Sequence, residues 1–370
     1  MNFTEGEDQD FTLSRIRFST AIKPTPWMTL FGEVQDDRSF GLTRPGAGNR
    51  DTLDIRQAYV QFGREDAWWD VKAGRQKMFF GSERVIGAGE WGNTARVFDA
   101  VRFAVHHGPN RVDFFSSSVV NPNEEHWDHH QQGNNLHGAY GSLGSILKGS
   151  KIEPYVLYRT DHLRASHSWT SGIRTAGAAG AAWNYELELI GQRGAISTTP
   201  LHGSAATVQV QRHFDLRWKP TLLGEFNYAS GDKNPTDKVI NTYDQLYPTN
   251  HGIYGVVDIM GRRNTKNGRA GLWLKPKSWL TTKAEVHTFA LASRFDALYS
   301  AGGGAIIPAV AGGARSTDVG REIDLIADFK LNPHYDIGAQ YGHLIPGAFV
   351  RTYSPGASRN FYAFFLDFRL

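Results

Sequence analysis

Apolar and polar residues alternate one by one along several stretches of the chain. In 208–219 one parity carries Val208, Val210, Phe214, Leu216 and Trp218, and the other carries mostly polar residues. The stretches 321–331 and 360–370 repeat this pattern. A two-residue period is typical of a β-strand with one apolar and one polar face.

Weaker alternation predicts further strands, for a total of about 17 with roughly ten residues each. They lie near 12–23, 27–37, 53–63, 68–78, 98–107, 111–120, 135–144, 151–161, 172–183, 185–196, 221–230, 268–275, 279–291 and 335–344. The 3.6-residue period of an amphipathic helix does not extend over a useful length anywhere. The predicted fold class is therefore all-β.

The connections between these predicted strands alternate in length. Short links are predicted at 23–26, 107–110, 219–221, 275–277 and 332–334. Long polar or Gly-rich links lie near 38–52, 79–97, 121–134, 231–267, 292–318 and 346–358. Short periplasmic turns and long extracellular loops are typical of a transmembrane antiparallel β-barrel. A soluble β-sandwich is the alternative, although it seldom has so many long loops on one side.

Aromatic residues lie near many of the predicted strand ends, where the girdles of a membrane barrel would be. They are Trp27, Trp68, Trp69, Trp183, Tyr185, Trp218, Trp273, Trp279 and Tyr335. We therefore predict a barrel of about 17–18 strands in a bacterial outer membrane.

A barrel with both termini in the periplasm needs an even number of strands. The first short link follows the first predicted strand, so that strand already runs inward from the extracellular side. We therefore expect a further strand upstream, with residues 1–10 belonging to an extracellular loop. The first 30 residues also lack the segments of a signal peptide. We expect residues 1–370 to form a single barrel domain.

Composition narrows the function classes. The 370 residues include 40 Lys and Arg, 37 Asp and Glu and no Cys. Without cysteine, disulfides, thiolate metal sites and cysteine nucleophiles are excluded. The near balance of charge does not suggest a nucleic-acid partner. The mean hydropathy of −0.42 is polar, so membrane-spanning helices are not expected.

Five segments have a distinctive sequence: LDIRQAYVQF at 53–62, VKAGRQKMFF at 71–80, GSERVIG at 81–87, WGNTARVFDAVR at 91–102 and TYDQLYPTNHGIYGVVDIMGRRN at 242–264. They resemble segments of the bacterial alginate export porin family. The tail 320–349 and the closing aromatic strand are similar too. The resemblance covers nearly the whole chain in order, although the chain has fewer predicted strands than the family.

The resemblance implies an outer-membrane barrel of about 18 strands whose arginine-rich lumen passes an anionic polysaccharide. It also implies that the loop 231–267 folds partly into the lumen as a constriction or gate. The alternative is a surface loop. The candidates within the family-like segments are Arg56, Arg75, Arg84 and Arg96 as pore-lining residues, and Tyr247, Pro248, His251, Asp258 and Asn264 in the constriction loop.

Strand parity and position add pore-lining candidates: Arg102, Arg159, Arg217, Lys283 and Arg321. His213 and His287 are also predicted to point inward. Arginine suits a polyuronate because its planar guanidinium binds carboxylates through two hydrogen bonds and stays protonated. Conduction requires each site to bind weakly. The alternative for each arginine is a simple ion pair with an acidic residue of the wall.

Arg75 shares its parity with Val71 and Ala73 and would face lipid. A charge on the lipid face costs about 2–4 kcal/mol at the middle of the bilayer. We therefore expect a bulge or a position near the rim at Arg75.

Two loops contain potential metal ligands. The segment 231–237 spaces its oxygens somewhat like a calcium loop, but it lacks the Gly and distal Glu of the full motif. We interpret it as a turn with side-chain caps. The segment 124–130 contains acidic residues and histidines without regular spacing. We interpret it as an exposed polar loop and predict neither a metal site nor a cofactor.

The sequence therefore predicts a passive channel for an anionic polysaccharide such as alginate. We do not expect an enzyme, because G-x-S-x-G, P-loop and H-E-x-x-H motifs are absent. The alternatives are a porin for smaller acidic or neutral oligosaccharides and, in the enzyme class, a lipid hydrolase on the barrel wall. The expected partners are the outer-membrane bilayer, the polysaccharide and a periplasmic export machinery. We expect a monomer.

Overall fold

The computed structural model describes residue 3 and residues 9–42, 50–64 and 67–370. These residues form β-strands and one short helix, α1 (Ala348–Tyr353). The strands are β1 (Thr12–Thr25), β2 (Met28–Phe40), β3 (Asp51–Gly63), β4 (Trp69–Gln76), β5 (Phe98–His107), β6 (Asn110–Asn121), β7 (His129–Leu143), β8 (Ser150–Asp161), β9 (Ser166–Ala178), β10 (Trp183–Ile196), β11 (Thr199–His213), β12 (Thr221–Ala229), β13 (Thr265–Lys277), β14 (Leu280–Leu291), β15 (Leu298–Tyr299), β16 (Ala305–Ile307), β17 (Asp318–Asn332), β18 (Tyr335–Pro346) and β19 (Arg359–Phe368).

Seventeen of these strands form one antiparallel sheet, in which each strand pairs with the next strand of that sheet along the chain and β14 pairs with β17. The short strands β15 and β16 form a separate pair within the connection from β14 to β17. This up-and-down order confirms the predicted all-β barrel class. Because seventeen is odd, β1 and β19 run in the same direction. The expectation of an additional upstream strand stays a prediction.

The two faces of the sheet differ in chemistry. On β10, Leu187 and Leu189 are exposed on the outer face, whereas Glu186 and Glu188 are buried on the inner face. On β12, Phe226 is exposed and Glu225 is buried. An apolar outer face and a polar lumen are the arrangement that a bilayer requires of a closed barrel.

Short and long connections lie at opposite ends of the sheet. The short-turn end contains the connections at 26–27, 108–109, 278–279 and 333–334, among others. The long-loop end contains the six long segments that the sequence predicts, together with two shorter connections at 162–165 and 197–198. Exposed aromatic residues surround the short-turn end, as in an interfacial girdle. They include Trp27, Trp68, Trp183, Trp218, Trp279 and Tyr335.

One predicted strand boundary is wrong by several residues. The alternation predicts a strand over 208–219, but β11 covers Thr199–His213. Trp218 and Lys219 lie in the following turn with left-handed backbone angles, φ 69° and 45°. The apolar alternation continues past the strand because Leu216 and Trp218 are exposed at the membrane-interface level. Two-residue periodicity alone does not separate such a turn from a strand.

The buried apolar side chains lie inside the barrel, where loops pack against the inner wall. One cluster contains Phe98, Leu136 and Leu157 from the wall and Ile86 and Tyr247 from loops. A second cluster includes Phe289 and Leu344 from the wall with Phe349 from α1. The long loops therefore contribute to the core of the protein.

Candidate functional site

Two long loops meet in the lumen, against the inner face of the sheet near its long-loop end. The β4–β5 loop (77–97) and the β12–β13 loop (230–264) form a parallel bridge between Ile86 and Tyr247. The N–H of Gly87 donates to the carbonyl of Tyr247 at 2.8 Å, and the N–H of Tyr247 donates to the carbonyl of Val85 at 2.9 Å. These backbone hydrogen bonds hold the loops together in the lumen.

A buried ionic network anchors the loops to the wall. Arg84 of the β4–β5 loop lies 3.4 Å from Glu186 and 3.1 Å from Glu225. Arg262 of the β12–β13 loop is fully buried and lies 3.0 Å from Glu188. Buried guanidiniums are stable only when they are paired and hydrogen bonded. The inner-wall glutamates therefore serve as anchors for arginines on the loops.

A cavity of about 430 Å³ lies among the loops and the ends of β6 and β8 that they contact. Four arginines line it: Arg96, Arg159, Arg164 and Arg263. We call this cavity the arginine vestibule. Asp244 is the one acidic residue among its lining residues in the described chain, so the lining has a formal charge of four minus one, or +3.

The arginines of the vestibule share few carboxylates. Arg159 lies 3.0 Å from Asp161 and 3.2 Å from Asp244. Arg263 lies 3.4 Å from Asp244, and the half-exposed Arg164 is within 4 Å of both aspartates. Two carboxylates thus serve three guanidiniums, which leaves hydrogen-bonding capacity for an anionic ligand.

Arg96 is bound by neutral groups. Its Nη1 donates to the carbonyls of Gly87 at 2.8 Å and Tyr247 at 2.7 Å. Within the described residues, no carboxylate is within salt-bridge distance of it. Burial lowers the pKa of Arg96 to about 10, so the side chain stays cationic at neutral pH. Arg96 is therefore the least neutralised charge of the vestibule.

Several predicted pore-lining residues point inward. Arg102 lies 2.6 Å from Asp113, and Lys283 lies 3.7 Å from Asp328. Arg56 is buried, 2.6 Å from Glu33 and 2.8 Å from Glu90. His213 and His287 also share the inner parity of their strands. These residues are ion-paired or hydrogen-bonded members of the inner wall, whereas Arg96 and Arg159 reach the vestibule.

Three predicted pore-lining positions lie elsewhere. Arg321 is exposed on the outer face beside Ile323, because the two share a strand parity. Arg75 also has outer parity at the end of β4, where it lies 2.8 Å from Asp99. It is held at the rim without a bulge. Arg217 is exposed in the β11–β12 turn, because β11 ends before it.

The predicted constriction residues lie in the β12–β13 loop but serve different contacts. The hydroxyl of Tyr247 donates to Asn134 at 2.7 Å, and the carbonyl of Pro248 accepts from Arg96 at 3.4 Å. His251 lies 2.7 Å from Asp258 and stacks on Trp91 with ring centroids 3.9 Å apart. Asn264 donates to the carbonyls of Ser293 and Ala297. Tyr247 and Pro248 are the pair that meets the vestibule arginines.

Sequence reasoning missed Arg164, Arg262, Arg263 and Asp244. Arg262 and Arg263 form an adjacent arginine pair within the family-like segment 242–264. Such a pair in a loop expected to enter the lumen is a usable signal, because buried guanidiniums need acidic partners. Arg164 lies in the short connection 162–165 and carries no comparable signal.

The predicted turn at 231–237 has side-chain caps. Asp232 accepts from the N–H of Asn234 at 3.1 Å, and Asn234 accepts from the N–H of Thr236 at 3.3 Å. The interpretation of 124–130 as an exposed polar loop is wrong for Asp128. This residue is half-buried and its N–H donates to Asp54 at 2.6 Å.

In the part of the chain that the structure describes, no helix is long and apolar enough to cross a membrane.

The fold is similar to that of several solved structures, among them an outer membrane protein. Pseudomonas aeruginosa OccK9 (OpdG) matches with a TM-score of 0.67 at 11% identity, over 99% of this chain and 93% of that one. The Pseudomonas aeruginosa outer membrane protein OpdK matches with a TM-score of 0.64 at 10% identity, over 98% of this chain and 94% of that one. Acinetobacter baumannii OccAB4 matches with a TM-score of 0.62 at 8% identity, over 97% of this chain and 91% of that one. At these identities the likeness concerns the fold.

The meandering sheet, its apolar outer face and its polar lumen define an outer-membrane β-barrel porin, a class of transport channel. No curated protein sequence matches the chain significantly. The chain belongs to the alginate export family, whose model matches residues 1–364. The predicted family and the predicted outer-membrane location are thereby confirmed.

Proposed function

We propose that this porin passes an anionic polysaccharide such as alginate through its lumen, with the arginine vestibule as the binding site at the extracellular mouth. The observation that carries the proposal is the vestibule lining of four arginines and one aspartate. A polyuronate has one carboxylate on each sugar, so successive sugars can exchange between neighbouring guanidiniums. The family membership supports the same class of solute.

Two residues of the β12–β13 loop contact the vestibule arginines and would narrow the path beside them. Tyr247 and Pro248 lie against Arg96, and Tyr247 also lies under Arg159, 5.2 Å from ring centroid to guanidinium carbon. A displacement of the β12–β13 loop would therefore move the aromatic wall and the charges together. We propose that this loop is the gate of the channel.

The test uses single-channel recording in a planar bilayer under a salt gradient, with polymannuronate added. We expect anion-selective current that the polymer blocks. Replacing Arg96 with Gln (Arg96→Gln) should raise the half-blocking polymer concentration by about tenfold to a hundredfold, because one charge-assisted hydrogen bond contributes about 1.5–3 kcal/mol. The double variant with Arg159→Gln should lose block further and reduce anion selectivity.

Arg321→Gln and Arg217→Gln are the matched controls. Both remove one arginine charge, but from the outer face and from a short turn. They should leave block unchanged. A cation-selective wild-type channel, or equal loss of block in the control variants, would contradict the proposed site.

A porin for smaller acidic solutes is the second candidate. One neighbouring structure is OpdK with vanillate, and vanillate is itself a carboxylate. The vestibule volume of about 430 Å³ also suits a small acid. Block measured against a series of uronate oligomers separates the candidates. A polymer channel should bind more tightly as length increases, whereas a small-solute porin should show no gain beyond a disaccharide.

We further propose that the barrel works as a monomer and receives its polymer from a periplasmic export machinery. The exposed apolar side chains are spread over strands around the sheet, including β5, β10, β12, β17 and β19. This distribution suits contact with lipid around the barrel. Light scattering of the detergent-solubilised protein tests the oligomeric state.

A further inference from the structure

Three carboxylates converge at the long-loop end of the sheet. Asp51 and Asp54 belong to β3, and Asp128 ends the β6–β7 loop (122–128). One oxygen of each lies within 4.8 Å of the others. We call this group the rim carboxylates. The predicted pore function does not use them.

A bulge brings two of these side chains to the same face. The β2–β3 register shifts between the Gln35–Asp54 pair and the Asp37–Asp51 pair. One residue lies between Gln35 and Asp37 on β2, whereas two residues lie between Asp51 and Asp54 on β3. Asp51 and Asp54 are therefore both buried, although they are three residues apart and would otherwise have opposite parity.

The hydrogen bonds of the rim carboxylates leave one oxygen without a partner. Asp54 accepts from the N–H of Ile55 and from the N–H of Asp128. Asp128 accepts from the N–H of Asn123 at 2.7 Å. Oδ1 of Asp51 has no hydrogen-bond partner among the described residues, although Asp51 is only 5% exposed. An unpaired buried carboxylate oxygen is costly unless a cation or a proton reaches it.

The neighbouring arginines do not neutralise the group. Arg75 lies 3.9 Å from Asp54 but makes its close contact with Asp99 at 2.8 Å. Arg56 lines the same space, and its guanidinium is paired with Glu33 and Glu90. Among the residues that line this space, three carboxylates therefore face one guanidinium that is already paired, so the lining has an excess of negative charge.

The rim carboxylates line a cavity of about 10 Å³, close to the space that one water-sized species occupies. We propose that this cavity is a calcium site, with Asp51, Asp54 and Asp128 as its protein ligands. Calcium prefers carboxylate oxygens and tolerates irregular geometry, and backbone carbonyls or water can complete its coordination.

The site lies against the arginine vestibule. Thr94, Ala95, Val120 and Pro122 line both cavities. A calcium ion would join the start of β3 to the β6–β7 loop and support the segment that leads to Arg96. The site is therefore a brace for the extracellular mouth, and its existence does not depend on which solute the channel passes.

The test is isothermal titration of the full chain with CaCl₂, after refolding in detergent and removal of metals with EDTA. Refolding without lipopolysaccharide excludes calcium binding by lipid phosphates. We expect one saturable calcium equivalent in the wild type. Asp51→Asn and Asp128→Asn should each weaken binding by about tenfold or more, because ligand charge sets calcium affinity.

Asp232→Asn in the capped turn at 231–237 is the matched control and should bind calcium like the wild type. Heat modifiability on a gel shows whether each variant is folded, and Asp128→Asn can retain the hydrogen bond from Asn123. Absence of saturable binding in the wild type would overturn the proposal. Unchanged stoichiometry and affinity in both folded variants would also overturn it.

Discussion

Arg262 shows at the residue scale how charge is held inside this barrel. Its guanidinium is fully buried, lies 3.0 Å from Glu188 and donates to Thr207 at 3.0 Å. Glu188 and Thr207 belong to the inner wall, whereas Arg262 belongs to a loop. Removal of the arginine would leave Glu188 as an uncompensated buried charge.

We therefore predict that Arg262→Met lowers the free energy of unfolding by about 3–5 kcal/mol. Equilibrium unfolding in detergent or vesicles measures the change. Arg164→Met is the control, because the Arg164 side chain is 53% exposed and its ion pairs are near 4 Å. Equal destabilisation in the two variants would show that the buried pair with Glu188 is not the cause.

Individual side chains were predictable where the ladder is regular. Arg102, Arg159 and Lys283 have the inward direction that parity predicts. Arg56 is buried because the register shifts between the Glu33–Gln57 and Val34–Ile55 pairs. Such a shift depends on how β3 fits its neighbour, so parity along one strand does not reveal it.

At the scale of the element, each strand separates two environments. In the middle of β10, Leu189 is 63% exposed on the outer face and pairs with Ala206 and Ile173 on the adjacent strands. On β11, Gln209 has the inner parity and donates to Glu225 at 2.6 Å. The same new side chain would therefore contact lipid at position 189 and the carboxylate of Glu225 at position 209.

We predict that Leu189→Arg destabilises the barrel in a bilayer by about 2–4 kcal/mol, the cost of a charge at mid-membrane depth. Gln209→Arg, placed beside Glu225, should be close to neutral. Unfolding by guanidinium in lipid vesicles measures both. If Gln209→Arg proves the more damaging variant, the assignment of the two faces is reversed.

At the scale of the whole molecule, loops occupy the interior of the sheet. The β4–β5 and β12–β13 loops bridge at Ile86 and Tyr247, and Arg262 fixes the second loop to the wall. The strands remain connected through their own ladders, so the wall does not need these loops for hydrogen bonding. The loops instead set the width and charge of the path.

Replacement of residues 242–263 by a short Gly-Ser linker should therefore raise single-channel conductance severalfold and reduce anion selectivity. The replaced segment contains Tyr247, Arg262 and Arg263. Shortening the exposed segment 233–238 of the same loop is the control and should not alter conductance. An unchanged conductance after the larger replacement would mean that residues 242–263 do not restrict the path.

The sequence by itself determined the β-barrel class, the alternation of short and long connections and the family. These features depend on local residue patterns, because a bilayer imposes a two-residue period on every strand. Tertiary structure decided which arginines share the vestibule, since Arg96, Arg159 and Arg263 come from separate parts of the chain. It also brought Asp128 to Asp51 and Asp54, because a bulge and a loop contact, both set by packing between distant segments, place those carboxylates together.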